Sequence, residues 1–178
     1  MDIRARNMLA AALTAGIGLV MASGGAAAAT LQRSFVQNAT GACQSALPVF
    51  DGQIRKRPLA VQNEGTAPAF VSCSFMSTDR SDAGMTEVYV YADNNTASSV
   101  DLTCTLVTGV SGLGPAFFPK TLTLPANSTI NEFLWTAADN GGENFDNYTT
   151  NISCNLPVGT GLSITFVYFD EEVGVLEP

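Results

Sequence analysis

Oxygen-bearing side chains crowd one stretch of this sequence, Asp139-Asn140-Gly141-Gly142-Glu143-Asn144-Phe145-Asp146-Asn147. Carboxylates and amides are the ligands calcium takes, and paired glycines let a loop wrap an ion. Asp139, Glu143 and Asp146 are therefore the expected calcium ligands, although their spacing is not that of an EF-hand loop. The plainer reading of the same residues is a solvated connection between two elements. Carboxylates are also the only common catalytic equipment in the chain. There is no histidine, so the usual base for a Ser or Cys nucleophile is missing and zinc loses its commonest ligand. Lys56 and Lys120 are the only lysines, and the glycines at 109, 112 and 114 are not followed by the Lys-Ser/Thr of a phosphate loop. A glycosidase pair, with Glu132 and Glu143 as candidates, is the one enzyme design left open. Acidic residues are too plentiful for that to discriminate, and the chain is read as a non-enzyme.

Two other groups could contact a partner. Arg55, Lys56 and Arg57 hold half of the positive charge that follows residue 29 and would dock an acidic surface. The same charges, just before Pro58, also suit an edge strand that must not pair with a neighbour. Tyr89 and Tyr91 alternate with Val88 and Val90. If the valines face a core, the tyrosines face outward and are available for contact. Trp135, the only tryptophan, is expected in the core.

The elements that must position these residues are strands. Residues 100–108, VDLTCTLVT, alternate Val100, Leu102, Cys104 and Leu106 with Asp101, Thr103 and Thr105, the period of a strand with one buried face. Residues 69–76 place Val71, Cys73 and Phe75 on one face, and residues 148–156 do the same with Ile152, Cys154 and Leu156. Further strands are expected near 35–36, and over 59–62, 86–92, 120–124, 129–136 and 162–169, the last apolar enough on both faces to be central. Strand 86–92 should form an antiparallel hairpin with 100–108 through the short loop DNNTASS. The Gly- and Pro-rich segment 109–119 reads as a loop, and the acidic end DEEVGVLEP is expected to fray. No stretch after the first 29 residues has sustained helical periodicity. About eight short, turn-punctuated strands predict an all-β fold, an antiparallel β-sandwich of immunoglobulin-like or jelly-roll order.

Arg4 and Arg6, a short apolar run and the small-residue zone SGGAAAAT have the form of a cleaved secretory signal of bacterial type, residues 1–29, leaving one domain over 30–178. That domain would carry six basic and fifteen acidic residues, a net charge of −9. Such a field repels nucleic acid and anionic membrane surfaces, and no later run is long enough to insert in a bilayer. The four cysteines are even in number and match no zinc spacing. In an exported chain they imply two disulfides. Three connectivities are open, and Cys43–Cys73 with Cys104–Cys154 is the one favoured. Five Asn-x-Ser/Thr triplets, at Asn38, Asn94, Asn127, Asn147 and Asn151, are read as a product of composition.

The stretches CQSALPVFDGQIRKRPLAVQNEGTAPAFVSCSF and CNLPVGTGLSITFVYFDEE resemble a group of small exported proteobacterial proteins of unknown function. The resemblance implies export and disulfides and supplies no activity. The reading is an exported, disulfide-braced β-sandwich, secreted or periplasmic, acting through its surface as a binding or structural protein, with self-assembly through a sheet edge open to it. The alternative is a carbohydrate-binding module that uses aromatics and the acidic loop, with calcium as its one candidate cofactor. A carboxylate-based glycoside hydrolase is the second alternative.

Overall fold

The computed structural model describes residues 29–75, 84–112, 114–145 and 149–173, so the expected signal, apart from residue 29, lies outside the described residues. Eleven strands succeed one another there: β1 (Ala29–Asn38), β2 (Cys43–Ser45), β3 (Ile54–Lys56), β4 (Val61–Asn63), β5 (Ala69–Phe75), β6 (Met85–Asn94), β7 (Val100–Thr108), β8 (Ala116–Leu124), β9 (Ser128–Thr136), β10 (Thr150–Leu156) and β11 (Thr160–Val173). They make two antiparallel sheets. The first runs β3-β4-β11-β6-β9, with β1 taking the place beside β11 beyond the end of β4; the second runs β2-β5-β10-β7-β8.

Within these sheets β4 to β11 have jelly-roll order. The chain behaves as one long hairpin rolled up. β7 pairs with β8 at its tip, then β6 with β9, β5 with β10 and β4 with β11, alternating between the sheets. The predicted β-sandwich is the fold observed, and its strands follow the jelly-roll order rather than the immunoglobulin-like one.

That order overturns the expected 86–92/100–108 hairpin. β6 lies in the first sheet and β7 in the second. Alternation specifies which face of a strand is buried, not which strand lies beside it. The turn between them is governed by Asn94, which is fully buried at the end of β6. Its amide donates to the carbonyls of Ser98, Leu124 and Pro125, and its Oδ1 accepts from the Thr96 N–H and hydroxyl. An Asn saturated in this way fixes the crossing from one sheet to the other.

Other boundaries also differ: β1 runs over Ala29–Asn38 where the sequence predicts a strand only near 35–36, and the short edge strands β2 and β3 raise the expected eight or so strands to eleven among the described residues. β8 starts at Ala116 rather than inside a loop reaching Pro119. It is an edge strand, where a proline's missing N–H leaves no ladder bond unmade. The acidic end does not fray through Val173. β11 continues there in register with β1, Val173 opposite Ala29.

The inner faces supply the core, with Val88, Val90, Phe133 and Trp135 from the first sheet and Leu102, Leu106, Ile152 and Leu156 from the second, all essentially without solvent contact. Each such side chain contributes about 1.5–3 kcal/mol by burial. Trp135 also donates its indole N–H to the Phe118 carbonyl at 2.8 Å. The disulfides are Cys43–Cys73 and Cys104–Cys154. Each joins residues directly opposite on adjacent strands, β2 to β5 and β7 to β10, so both staple the second sheet within its own plane.

Candidate functional site, the outer face of the first sheet

The period of two that buries Val88, Val90 and Ala92 on β6 sends Glu87, Tyr89, Tyr91 and Asp93 to the opposite side. On β11 a register irregularity between Leu162 and Thr165 resets the alternation, after which Thr165 and Val167 face in. Phe166 and Tyr168 then share the outward side with the β6 tyrosines, since Phe166 lies opposite Tyr89 and Tyr168 opposite Glu87. β9 adds Leu134 opposite Tyr89 and Glu132 opposite Tyr91. The centre of the sheet therefore carries four half-buried aromatic rings bordered by carboxylates.

The rings meet edge to face. Tyr89 and Tyr168 lie 5.6 Å apart at 71°, and Tyr91 and Phe166 5.7 Å apart at 82°, the arrangement ring quadrupoles favour. Tyr89 donates its hydroxyl to Glu87 Oε2 at 2.5 Å. This hydrogen bond, reinforced by burial, raises the Tyr89 phenol well above its ordinary value. Burial, with the nearby Glu132 carboxylate, also raises Tyr91. Both phenols are thus neutral at any physiological pH. Burial raises the Asp93 carboxyl too, offset in part by a hydrogen bond from the Ile130 N–H. Such a surface offers flat apolar area and hydrogen-bond acceptors.

Of the residues singled out from sequence, Tyr89 and Tyr91 face outward in this way, and Glu132 joins them. The basic segment does not. Arg55 and Lys56 sit on β3 at the sheet edge, with β4 and β11 between them and β6. Arg57 is engaged by Glu64 in a two-pronged ion pair, Nε to Oε1 and Nη2 to Oε2 each at 2.7 Å. In the acidic loop, Asp139 belongs to a 3₁₀ turn, where it accepts the Thr136 N–H at 2.9 Å and pairs with Lys120 at 3.0 Å. Burial pushes its carboxyl up, but the Thr136 N–H and the Lys120 ammonium outweigh that and hold it below the usual range. Asn140 donates to the carbonyls of Glu143 and Asn144. Glu143 is exposed, and Asp146 lies outside the described residues. Among the described residues no three His, Cys, Asp or Glu side chains are grouped to hold a metal ion.

Sequence reasoning missed Phe166, Tyr168, Glu87 and Asp93. The signal for the first two is present in Thr165-Phe166-Val167-Tyr168, which repeats the aromatic alternation of Tyr89-Val90-Tyr91. The apolar character of both faces conceals it.

No protein-family model matches the chain, and no curated protein matches it. Similar solved structures include a xylan-binding domain of carbohydrate-binding module family 22, with a TM-score of 0.40 at 11% identity over 88% of this chain and 93% of that one. Another is a family 11 carbohydrate-binding module from Clostridium thermocellum in complex with a β-1,3-1,4-mixed-linked tetrasaccharide, TM-score 0.38 at 12% identity over 84% and 90%. A third is a module in complex with β-1,4-galactotriose, TM-score 0.33 at 9% identity over 79% and 88%. At these identities and scores neither a residue nor a ligand carries over from them to this chain.

Proposed function

We propose that the protein is an exported, non-enzymatic binding protein whose ligand is an uncharged glycan chain laid along the outer face of the first sheet. The observation that carries this reading is the set Tyr89, Tyr91, Phe166 and Tyr168 on one outward surface, with Glu87 and Glu132 beside the rings. A sugar ring presents an apolar face of C–H groups, which packs on an aromatic surface, and a rim of hydroxyls, which donate to carboxylates. The Tyr89 hydroxyl, whose hydrogen is committed to Glu87, offers its oxygen as an acceptor to the same rim. The carboxylates and the acidic chain, with a formal charge of −8, disfavour an anionic polymer. Two buried disulfides suit an oxidising compartment outside the cytoplasm.

The test is a glycan array followed by calorimetry on the oxidised protein, using soluble neutral oligosaccharides of the cello- and xylo- series. Binding to a neutral oligosaccharide is expected, and Tyr91→Ala or Phe166→Ala should weaken it by tenfold or more, as loss of a central aromatic anchor does. Thr103→Ala, on the other sheet, should leave it unchanged. Absence of binding across the array would return the protein to the broader reading, a surface that contacts a protein partner or a second copy of this chain.

A further inference from the structure

We infer that Ile130 is a specificity residue of this surface, forming with Asp93 the end wall of the glycan track and packing against the apolar face of the last sugar ring. The inference rests on the reading of the aromatic face as a glycan track.

Ile130 has φ +60°. A β-branched side chain in the left-handed region is a genuine outlier, normally replaced there by Gly or Asn, and such a conformation is strained. Packing is not the reason for it, because the side chain is 69% exposed. The preceding turn is not the reason either, since Asn127 already supplies a positive φ of its own at 49°.

Neighbouring groups impose the conformation. Asp93 Oδ1 accepts the Ile130 N–H at 3.2 Å. Asn131 donates from Nδ2 to the Ala92 carbonyl and to the Ser128 hydroxyl oxygen, both at 2.9 Å. The β6–β9 register slips at this point, between Ala92 and Asn94. Three side-chain hydrogen bonds thus hold an apolar side chain out in solvent, where folding gains nothing from it. Strain of this kind, over-determined by its surroundings, is characteristic of ligand contacts.

The place in the sheet fits that role. Asp93 shares the outward side of β6 with Tyr89 and Tyr91, and Ile130 lies beside it, two residues before Glu132 on β9. From Glu87 to Asp93 the track runs six strand residues, about 20 Å. Asp93 is the last outward residue of β6, which ends at Asn94, so the aromatic surface ends at the bulge. Asp93 positions Ile130 through one carboxylate oxygen and leaves the other available to a sugar hydroxyl.

The experiment compares the parent protein with Ile130→Gly and Ile130→Asn, both of which tolerate the left-handed backbone, by calorimetry with cellohexaose and xylohexaose and by thermal melting. The expected result is hexasaccharide binding weakened at least fivefold in both variants, with Ile130→Gly melting no lower than the parent. Equal hexasaccharide affinity in parent and variants would overturn the inference and leave the track standing. A Gly variant that melts well below the parent would overturn it as well, by showing that the side chain serves the fold. If the parent binds neither, the same comparison is made with the longest neutral oligosaccharide the array identifies, and a parent that binds none would remove the track and this inference together.

Discussion

The two outward faces of the sandwich are built on the same inner alternation and differ most at their centres. The first sheet shows the solvent Tyr89, Tyr91, Phe166 and Tyr168 with carboxylates around them. The second shows small uncharged groups at its centre in cross-strand rows, Ser72–Ser153–Thr105 in one and Asn155–Thr103–Thr121 in the next, with Asp101 and the separate exposed rings of Phe70 and Phe117 around them. Its hydroxyls satisfy one another, Thr103 with Thr121 and Ser74 with Asn151, each pair at 2.8 Å. Covalent bracing has the opposite distribution, since both disulfides lie in the second sheet. One sheet is stapled and faces solvent at its centre with small groups that hydrogen-bond to one another, its two exposed rings, Phe70 and Phe117, standing apart on different strands. The other depends on packing and shows a surface of rings with unspent contact area. A strand's buried set decides whether the sandwich forms, and its outward set is free to specialise.

The largest test of this division is covalent. Replacing Cys104 and Cys154 together by alanine should lower stability by about 2–4 kcal/mol in urea unfolding, because a cross-link spanning 50 residues no longer restricts the unfolded chain. Glycan affinity measured well below the melting point should stay at the parent value, since the affected strands belong to the other sheet. A loss of affinity with no loss of stability would invert the proposed division.

Much of the inner architecture is legible in the sequence. The buried positions Val71, Cys73, Val88, Val90, Leu102, Cys104, Ile152 and Leu156 follow from alternation alone, as does the core placement of Trp135. Partnership between strands is not legible. β6 and β7 are joined by five residues, a separation that fits a hairpin as well as a crossing. What decides is Asn94, whose partners Leu124 and Pro125 lie about thirty residues away. The aromatic face is half legible. Tyr89 and Tyr91 can be named, but the rings that complete it come from β11, which pairs with β6 only after the whole roll has closed. In the acidic loop composition does not show commitment, since Asp139 is engaged by Lys120 and by its own turn.

A smaller test concerns the seam between the sheets. Lys120 extends from β8 in the second sheet to donate to the Leu134 carbonyl on β9 in the first. It also pairs with Asp139 and lies 5.8 Å from the centre of the Trp135 ring. Lys120→Met keeps the length of the stem and removes the ammonium. It should cost about 1.5–3 kcal/mol, nearly all of it the charge-assisted hydrogen bond, because the partly exposed ion pair adds little. If the seam transmits nothing to the aromatic face, glycan affinity will not change. A change larger than twofold would mean that β9, and with it Glu132 and Leu134, is set by the stapled sheet.

The smallest effect isolates a single proton. Burial raises the folded-state pKa of Asp93 above its unfolded value of 3.8, so ionising this carboxyl opposes folding. By linkage the favourable contribution is fully present below pH 3.8 and is lost as the pH rises through the raised folded value. Asp93→Asn cannot ionise and keeps an oxygen to accept the Ile130 N–H. It should therefore be slightly more stable than the parent at pH 7, with the advantage shrinking as the pH is lowered through the Asp93 transition. Asp139 contributes in the opposite sense, because its lowered pKa gives stability above 3.8 that is lost as the pH falls through its own folded value. The comparison is therefore made between Asp93→Asn and the parent at each pH, where Asp139 cancels. If the Asn variant is less stable than the parent at pH 7, the carboxylate contributes more through its hydrogen bond to the bulge than its burial costs, and the aromatic face is braced more firmly than its lack of disulfides suggests.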